Sequence, residues 1–457
     1  MTVKRVAVVG GGLAGITAAL DCADDGAQVT LVEVRPRLGG AAYSFDRDGL
    51  RLDNGQHVFL RCCTDYMALL DRLGSRDLTT LQPRLDIPVL APGAQPARLW
   101  RSGLPAPLHL GGALATYRHL SPADRVRAMR AAMALRRLNP DDPWLDTRSF
   151  GDWLARHGQG PAAVEALWEL IARPTLNLTC DEASLAQAAQ VFRTGLLTAA
   201  DAGDVGWARV PLGDIHDEPA RRALTSAGVD VRTGWRAQRV AREGEGWVVN
   251  GPSGRLDADD VVVAVPHDRV EALLPPGALA APERLRGLGV SPIVNLHVAY
   301  DRRVMGLPFA AAVRSPVQFV FDRTDSSGLD RGQLLAVSLS AADEDMERRP
   351  DELRERYLPA LADLFPAARG AHVERFVVTR EHAATFRAAP GAAALRPGAR
   401  TQLPGLVLAG AYTATGWPAT MEGAVRSGHT AAREVLAGLT RTPAEGHPTG
   451  AVATLSG

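Results

Sequence analysis

The start of the chain alternates between apolar runs and a glycine-rich turn. Residues 4–9 form a continuous, β-branched run bounded by glycine, which predicts a buried parallel strand. A helical spacing of apolar residues over 16–25 stops at Gly26, and residues 28–33 predict a second strand that ends on a carboxylate. This order of strand, helix and strand predicts a βαβ unit of the kind that binds dinucleotides.

The rest of the chain divides into helical and strand-rich stretches. A loop with several glycines runs to about residue 60, and the pattern from 65 to 200 is mostly helical. Apolar spacing near 3.6 predicts helices over residues 65–73, 122–138, 149–157, 161–172, 181–197, 352–364 and 419–436. Short apolar runs predict strands over residues 229–233, 238–242, 247–250, 260–265, 293–300, 318–321, 334–339, 373–378 and 406–409. Residues 441–457 are rich in Thr, Gly, Pro and Ala, which predicts a disordered tail.

These elements predict an α/β fold whose domains are discontinuous in sequence. Segments 1–85, 205–290 and 400–440 are expected to form a Rossmann-like dinucleotide-binding domain. Segments 86–204 and 291–399 are expected to form a substrate domain that combines a mixed β-sheet with helices.

Composition and charge argue against several classes of protein. The 457 residues are 46% hydrophobic and 22% charged, which is typical of a globular protein rather than a disordered one. Lys plus Arg number 51 and Asp plus Glu number 51, so the net charge gives no case for binding nucleic acid. The four cysteines form no CxxC motif, so neither a metal site nor a redox motif is predicted.

The same composition bears on location. No apolar run approaches the ~20 residues that a spanning helix needs. The N-terminus lacks the long apolar stretch of a signal peptide. We therefore expect a cytoplasmic protein that is at most peripheral to the inner face of the membrane.

The glycines of the first turn have separate mechanical roles. In this motif Gly10 makes the tight turn, Gly12 lets the backbone approach a pyrophosphate, and Gly15 allows the helix to pack closely on the strand. Leu13 and Ala14 open the helix, where free N–H groups favour an anion, and they belong to the same predicted site. Glu33 follows Gly15 by 18 residues and is expected to accept hydrogen bonds from a ribose.

A second motif follows the second strand and carries a family resemblance. Arg37 is expected to bond the pyrophosphate, and Gly39 and Gly40 to bring the backbone close to the cofactor. With Glu33, these residues match the pattern E-x-x-x-R-x-G-G of the flavin-dependent amine oxidase and phytoene desaturase superfamily, which the chain resembles. The resemblance implies an amine oxidase-like fold and FAD as the cofactor. Because no second GxGxxG is present, an external reductant or the substrate must exchange electrons with the flavin.

The C-terminal segment resembles the part of this superfamily that binds the flavin ring. A strand ends near Gly410, and residues 412–424 open a long helix whose N-terminus would face the N1–O2 edge of the flavin. Pro418 is expected in the first turn of that helix. One departure is Ala411, where the superfamily usually has Asp, and the change is expected to weaken FAD binding. The cofactor residues predicted in this segment are Gly410, Gly416, Trp417, Pro418 and Met421. Val240, from the predicted strand 238–242, is a further predicted cofactor residue.

Motifs in the middle of the chain resemble one branch of this superfamily, the hydroxysqualene dehydroxylases. The run 52–59 (LDNGQHVF) looks like their D-x-G-Q-H segment, and further matches are residues 174–177, 210–216, 396–397 and 415–424. The resemblance implies that reduced FAD donates a hydride to an allylic carbon of hydroxysqualene, with loss of water, to give squalene in squalene and hopanoid biosynthesis. Alternatives are a carotenoid or phytoene-type desaturase, an amine oxidase, and a non-catalytic carrier of isoprenoids.

The candidate catalytic residues are His57, Gln56 and Asn177. The imidazole of His57 titrates near neutrality and is a candidate acid for the leaving hydroxyl, although a packed histidine that shapes the flavin pocket is an alternative. Gln56, with Gly55 beside it, is expected to bond the isoalloxazine edge or orient its neighbours. Asn177 is a candidate for bonding the substrate hydroxyl or, alternatively, a left-handed residue at a helix end.

Four more residues of the site have a structural alternative. Asp53 is interpreted as a turn residue, and Glu422 as a carboxylate favoured by the first turn of its helix. Tyr412 and Trp417 are expected either to line the flavin face or to be core aromatics.

The predicted helix 122–138 has two interpretations. Val126, Met129, Met133 and Leu138 follow helical spacing, and five arginines supply cationic ends. A basic amphipathic helix can lie in the membrane interface, which would suit delivery of a lipid substrate. The alternative is a surface helix packed on its own domain.

Overall fold

The computed structural model describes residues 3–437, so the predicted tail 441–457 lies outside the described residues. The strands are β1 Arg5–Val9, β2 Gln28–Glu33, β3 Ser44–Arg47, β4 Leu50–Asp53, β5 Val58–Leu60, β6 Thr79–Leu81, β7 Asp86–Leu90, β8 Ala97–Trp100, β9 Val205–Ala208, β10 Asp230–Thr233, β11 Arg239–Glu243, β12 Gly246–Gly251, β13 Gly254–Ala258, β14 Asp260–Val263, β15 Ser291–Tyr300, β16 Phe309–Ala312, β17 Phe319–Asp322, β18 Gln333–Ser340, β19 Val373–Thr385 and β20 Leu406–Leu408.

Helices connect these strands. They are α1 Leu13–Asp24, α2 Thr64–Leu73, α3 Gly111–Thr116, α4 Pro122–Arg136, α5 Pro143–Asp146, α6 Phe150–Arg156, α7 Pro161–Ala163, α8 Glu169–Leu176, α9 Leu185–Phe192, α10 Leu212–His216, α11 Glu218–Ser226, α12 His267–Leu273, α13 Glu283–Gly287, α14 Thr324–Ser327, α15 Asp343–Met346, α16 Pro350–Leu364, α17 Ala392–Leu395 and α18 Met421–Ala437. π-Helical turns join α7 to α8 (Val164–Trp168) and extend α9 (Arg193–Leu197). No helix within residues 3–437 is long and apolar enough to span a bilayer.

A five-stranded parallel sheet organises one half of the molecule. Its strand order is β10-β2-β1-β14-β20, and every pair of neighbours is parallel. The predicted βαβ unit is therefore confirmed, with α1 beginning at Leu13, directly after Gly12. β1, β2, β14 and β20 are mostly or wholly buried, as near-continuous apolar strands covered on both faces should be.

A seven-stranded mixed sheet organises the other half. Its order is β19-β15-β18-β17-β16-β7-β8, antiparallel throughout except for the parallel pair β16 and β7. One face packs against α16 through Val294, Leu335, Val337 and Leu361. All seven strands come from the segments predicted as the substrate domain, and the five parallel strands come from those predicted as the dinucleotide domain. The domain boundaries themselves remain a prediction.

Several sequence predictions were wrong in detail. The stretch 79–100, expected to be mostly helical, contains β6, β7 and β8, and the expected loop before residue 60 contains β3, β4 and β5. These strands are three to five residues long and carry polar residues, so they gave no clear alternation. The last helix begins at Met421, so Pro418 precedes it instead of lying in its first turn.

Candidate functional site

The ends of the parallel strands bring distant parts of the chain to one edge. Gly10 follows β1, Glu33 ends β2 and Gly410 lies two residues beyond β20. Because all three strands are parallel, these positions share the carboxyl edge of the sheet, where open α/β sheets bind their ligands. Leu13 and Leu38 belong to one apolar cluster, and Trp417 and Met421 pack against that cluster. The glycine turn and the segment before α18 therefore border the same site.

The three glycines of the turn differ in the space around them. Gly10 has φ +113°, and a Cβ there would lie 2.3 Å from the carbonyl oxygen of Ala264. A Cβ on Gly15 would lie 1.9 Å from the carbonyl oxygen of Gly10, so only glycine allows α1 to approach β1. A Cβ on Gly12 would meet only the Gly40 Cα, at 3.7 Å. Gly12 thus faces open space at the start of α1, as a backbone that approaches a pyrophosphate requires.

The Glu33 carboxylate fixes the turn from the end of β2. Its Oε2 accepts the backbone N–H of Gly11 at 2.7 Å, and its Oε1 accepts that of Arg35 at 2.7 Å. The residue is 8% exposed. Carboxylate oxygens have further lone pairs, so a ribose hydroxyl could share this acceptor.

Arg37, Gly39 and Gly40 form a loop that is bonded to the glycine turn. The Gly39 N–H donates to the Gly11 carbonyl at 2.9 Å, and Arg37 Nη1 donates to the Gly40 carbonyl at 2.9 Å. The Arg37 guanidinium lies 3.6 Å from the centre of the Tyr43 ring, and burial lowers its pKa. These contacts keep one cation close to the predicted pyrophosphate position.

Arg396 holds the segment before α18, a role that sequence analysis missed. Its Nε donates to the Tyr412 carbonyl at 3.2 Å, and its Nη2 donates to the carbonyls of Ala411 at 3.1 Å and Thr413 at 2.5 Å. Burial lowers the pKa of Arg396 to about 10. The sequence match at residues 396–397 marked the position. The role itself could not be predicted, because the three acceptors are backbone carbonyls, which every residue type has.

Glu422 binds the N-terminus of a neighbouring helix. Its carboxylate is fully buried and accepts the backbone N–H of Tyr66 at 2.7 Å and of Asp65 at 3.2 Å. Burial raises its pKa, and Arg426 donates to it at 2.8 Å. The carboxylate stabilises the first turn of α2 as well as lying in the first turn of α18.

Asp53 is a buried anchor, although the sequence favoured a turn residue. Its Oδ1 accepts from Ser44 Oγ at 2.7 Å and from the Leu212 N–H at 2.9 Å. Its Oδ2 accepts from Arg323 Nη2 at 2.9 Å in an ion pair whose side chains are 5% and 9% exposed. Arg323 also donates to the carbonyls of Ala208 and Val210. Asp53 therefore joins β4 to both the parallel half and the seven-stranded sheet.

The next three residues, Gly55, Gln56 and His57, lie on the loop between β4 and β5. His57 Nδ1 lies 3.3 Å from the Gly55 carbonyl, and burial lowers the pKa of the imidazole. Gln56 Nε2 is buried and has no hydrogen-bond partner within residues 3–437. A small cavity of about 10 Å³ beside the loop is lined by five polar and five apolar residues, namely Asp53, Gln56, His57, Asp322, Arg323, Trp207, Ala208, Leu212, Pro308 and Phe321.

A second histidine lies behind the loop. His216 Nε2 lies 2.8 Å from the Tyr66 hydroxyl, and burial lowers its pKa to about 3, with the charge of nearby His57 acting in the same direction. His216 is therefore neutral at physiological pH. Of these two histidines, His57 lines the cavity and His216 does not.

Asn177 is a left-handed residue at a helix end, which was the structural alternative to its predicted catalytic role. Its backbone is left-handed (φ +53°) at the end of α8. Nδ2 donates to the Ser291 carbonyl and to Thr385 Oγ1, and Oδ1 accepts the Ala341 N–H. These bonds use both amide protons and tie α8 to the seven-stranded sheet. Its predicted catalytic contact with a substrate hydroxyl finds no free donor in this arrangement.

The remaining predicted cofactor residues differ in placement. Val240 lies in β11 with its side chain fully buried in the apolar core, so any cofactor contact would come from its backbone. The ring centre of Trp417 lies 4.9 Å from Arg426 Cζ, and the side chain packs against the apolar cluster that contains Leu13. Gly416 has φ +75° and supplies the turn before Trp417. Tyr412 is buried, and its hydroxyl has no partner within the described residues.

These features fit a flavin dinucleotide. Gly12 opens onto free space at a helix N-terminus, and Arg37 supplies a cation beside it. The unpaired Gln56 amide and Tyr412 hydroxyl are buried polar groups of the type that a bound ligand satisfies.

Comparison with known proteins agrees with this geometry. Residues 13–436 match the family of flavin containing amine oxidoreductases. Hydroxysqualene dehydroxylases of Rhodopseudomonas palustris and Sinorhizobium fredii are each 30% identical, over 95% and 94% of this chain and 99% and 97% of theirs. The zeta-carotene desaturase of Arabidopsis thaliana is 25% identical over 93% of this chain and 84% of its own.

Solved structures share the fold at lower identity. A putrescine oxidase variant superposes with a TM-score of 0.71 at 21% identity, covering 95% of this chain and 99% of its own. The cyclohexylamine oxidase of Brevibacterium oxydans gives a TM-score of 0.71 at 19% identity, covering 96% and 100%. The predicted fold class and cofactor are thereby confirmed. The chain belongs to the family of flavin-containing amine oxidoreductases, and its cofactor is FAD.

Proposed function

We propose that this flavoenzyme reduces hydroxysqualene to squalene. The observation that carries the proposal is that Gln56 and His57 line one small cavity together with Trp207 and Phe321. These residues would offer polar groups to an allylic hydroxyl and apolar contacts to the carbon that bears it. The two bacterial relatives named hydroxysqualene dehydroxylase, which align over nearly the whole chain, support this choice of substrate.

The proposed reaction exchanges a hydroxyl for a hydride. The C–O bond of the allylic alcohol breaks, the departing hydroxyl takes a proton and leaves as water, and the carbon gains a hydride. Bound FAD supplies that hydride when it is reduced. An external reductant, whose identity is open, restores the two electrons.

The chain's own residues would position both partners. Gly12 and Arg37 would hold the pyrophosphate, and Glu33 the adenosine ribose. His57 would donate the proton to the leaving hydroxyl, and Gln56 would orient it or bond the isoalloxazine edge. The apolar wall would exclude water, which would otherwise capture an allylic cation.

An oxidative reaction is the competing function. The zeta-carotene desaturases, at 25% identity, favour a polyene substrate from which hydride is removed. Incubation of the enzyme with hydroxysqualene and with phytoene, each under reducing and oxidising conditions, distinguishes the two. Squalene formed only under reducing conditions supports the proposal, whereas desaturation of phytoene under oxidising conditions contradicts it. The flavin assignment disfavours the third alternative, a non-catalytic carrier.

We further propose a shallow contact with the membrane through α4. The helix packs on its own domain through Ala128, Ala131 and Leu135, as one of the two interpretations expected. Its outer face leaves Val126 43% and Met133 37% exposed among arginines. Co-sedimentation with anionic vesicles tests this contact. Val126→Asp should weaken binding, and Val290→Asp, at a residue of similar exposure (40%), should not.

A further inference from the structure

Two of the four cysteines are consecutive in sequence and lie at the start of α2. Cys63 is the residue directly before this helix, with φ −80° and ψ 65°, and Cys62 precedes it. Both are free thiols, and Cys62 is partly exposed whereas Cys63 is buried. The absence of a CxxC motif does not bear on two adjacent cysteines, so the surroundings of the pair indicate its chemistry.

Backbone hydrogen bonds hold the segment that carries the pair. The Cys62 N–H donates to the Ala202 carbonyl at 3.0 Å, and the Cys63 N–H donates to the Leu60 carbonyl at 2.8 Å. The Cys63 carbonyl accepts the Met67 N–H at 3.1 Å at the start of the helix. Both sulfur atoms are therefore carried by a fixed turn between β5 and α2.

The two thiols interact with each other and differ in reactivity. A hydrogen bond from the Cys63 thiol lowers the pKa of Cys62, and the charge of Arg426 acts in the same direction. The same hydrogen bond, together with burial, raises the pKa of Cys63. Because the thiolate is the nucleophilic form of cysteine, Cys62 is the more reactive thiol, and it is also the more accessible one. The pair therefore consists of an attacking thiol with a resolving thiol next to it.

A disulfide between adjacent residues is strained. The peptide bond that joins Cys62 to Cys63 is trans. Consecutive Cα atoms lie about 3.8 Å apart across such a bond, whereas disulfides usually join Cα atoms that are about 4.4–6.8 Å apart. Strained disulfides have more oxidising reduction potentials and are easily reduced again. A bond between these two cysteines would therefore suit reversible oxidation better than permanent stabilisation of the fold.

We propose that Cys62 and Cys63 form a reversible oxidation site that reacts with low-molecular-weight disulfides. The Cys62 thiolate attacks one sulfur of the small disulfide and forms a mixed disulfide, and the departing sulfur takes up a proton. The Cys63 thiol then attacks the Cys62 sulfur, loses its proton to water and releases the second small thiol. Two protein thiols are thus oxidised to one disulfide, and the small disulfide is reduced to two thiols. The site is independent of the substrate proposed above.

Oxidation at this position should reach the cofactor edge through Glu422. Closing the disulfide ring changes the backbone at Cys63, directly before the first turn of α2. The Asp65 and Tyr66 N–H groups of that turn donate to the Glu422 carboxylate, which lies in the first turn of α18. Since the segment before α18 borders the flavin site, we expect the oxidised enzyme to bind FAD about tenfold more weakly.

The test treats the FAD-loaded enzyme with oxidised glutathione, blocks the remaining thiols and locates the modification by mass spectrometry. Trypsin cleaves after Arg61 and Arg72, so the two adjacent cysteines fall in one peptide. We expect this peptide to lose the mass of two hydrogen atoms and to regain it after treatment with dithiothreitol. Cys22 and Cys180 are fully buried and should stay reduced. A wild-type peptide that remains in the dithiol form would overturn the proposal.

Two serine variants assign the order of attack. Cys63→Ser should accumulate a glutathione adduct on Cys62, because no thiol is left to resolve it. Cys62→Ser should remain unmodified, because Cys63 is buried and its pKa is raised. Cys180→Ser is the matched control and should form the same internal disulfide as the wild type. If Cys62→Ser were modified at Cys63 as fast as Cys63→Ser is at Cys62, the proposed attacking thiol would be wrong.

Release of FAD from the holoenzyme on dilution, followed by flavin fluorescence, measures the coupling to the cofactor. The oxidised wild type should release FAD at a concentration about ten times higher than the reduced wild type does. Cys62→Ser should bind FAD equally before and after treatment with oxidised glutathione. Equal FAD affinity of the oxidised and reduced wild type would refute the coupling.

Discussion

Gly428 of α18 lies against the Ala14 carbonyl of α1, so that a Cβ at Gly428 would be 2.4 Å from that oxygen. It would also lie 2.7 Å from Thr17 Cβ. The first and last helices of the described chain therefore approach each other at backbone distance. Since both helices border the cofactor edge, their spacing sets the distance between the glycine turn and the segment before α18.

Gly428→Ala should destabilise the protein despite alanine's higher helix propensity. The clash is with backbone, which has no rotamer to relieve it, so we expect a loss of about 1–3 kcal/mol in the free energy of unfolding. Urea unfolding measures it. The control is Gly111→Ala at the start of α3, where a Cβ meets nothing within 4 Å. Equal stability of the two variants would contradict the close packing.

Gly12→Val should abolish FAD retention while leaving the fold intact. The added side chain projects into the open space at the α1 N-terminus, where the phosphates would lie. Gly160→Val is a matched control, because both glycines precede a helix with extended backbone (φ −76° and −77°). The flavin-to-protein absorbance ratio and circular dichroism give the result. A Gly12→Val protein that purifies with full flavin would count against the site.

Arg396→Met should loosen the segment before α18. It removes three charge-assisted bonds to buried carbonyls, for which we expect a loss of about 3 kcal/mol in stability and weaker FAD binding. Arg400→Met serves as the comparison, since Arg400 is an exposed partner of Glu434 and such pairs contribute roughly 0–1 kcal/mol. Titration of apoprotein with FAD and chemical unfolding report the two effects. If Arg396→Met matched Arg400→Met in both, the positioning role would be refuted.

If His57 is the acid, turnover should increase as the pH falls. Burial lowers the pKa of His57 below 6.5, so little of the imidazole is protonated at pH 7. Lowering the pH by one unit should raise kcat/KM about tenfold until that pKa is reached, because only the protonated imidazole can donate a proton. His57→Gln should lower kcat by about 10²–10⁴ and remove this dependence.

A second histidine variant controls for general effects of acid. His119 is also half-buried with a lowered pKa, but it bonds the Val89 carbonyl away from the cavity. His119→Gln should keep the pH profile of the wild type. Full turnover by FAD-loaded His57→Gln would show that His57 only shapes the pocket.

Local parts of this architecture could be predicted from sequence, and non-local parts could not. The βαβ unit, Glu33 and the glycine turn lie within about 30 residues, where spacing and periodicity suffice. The ion pair of Asp53 with Arg323 joins residues 270 positions apart, and although Asp53 stands in the run 52–59, no pattern marks Arg323 as its partner. The stacking of Phe309 on Phe321 could not be predicted because Phe309 begins a strand of four residues, which is too short to show an alternating pattern. The left-handed backbone of Asn177 was one of two sequence interpretations, but its amide partners Ser291, Ala341 and Thr385 lie more than 100 positions away and could not be predicted.

Asn54 connects elements of both halves of the molecule. Its carbonyl is bonded to β15 and β19, and its side chain is bonded to the Ala41 carbonyl beside the Arg37 loop. Asn54 therefore ties the segment beside the Arg37 loop to the seven-stranded sheet through three hydrogen bonds. Under the proposed function, this junction would keep the sheet and the cofactor edge in fixed register while hydroxysqualene binds.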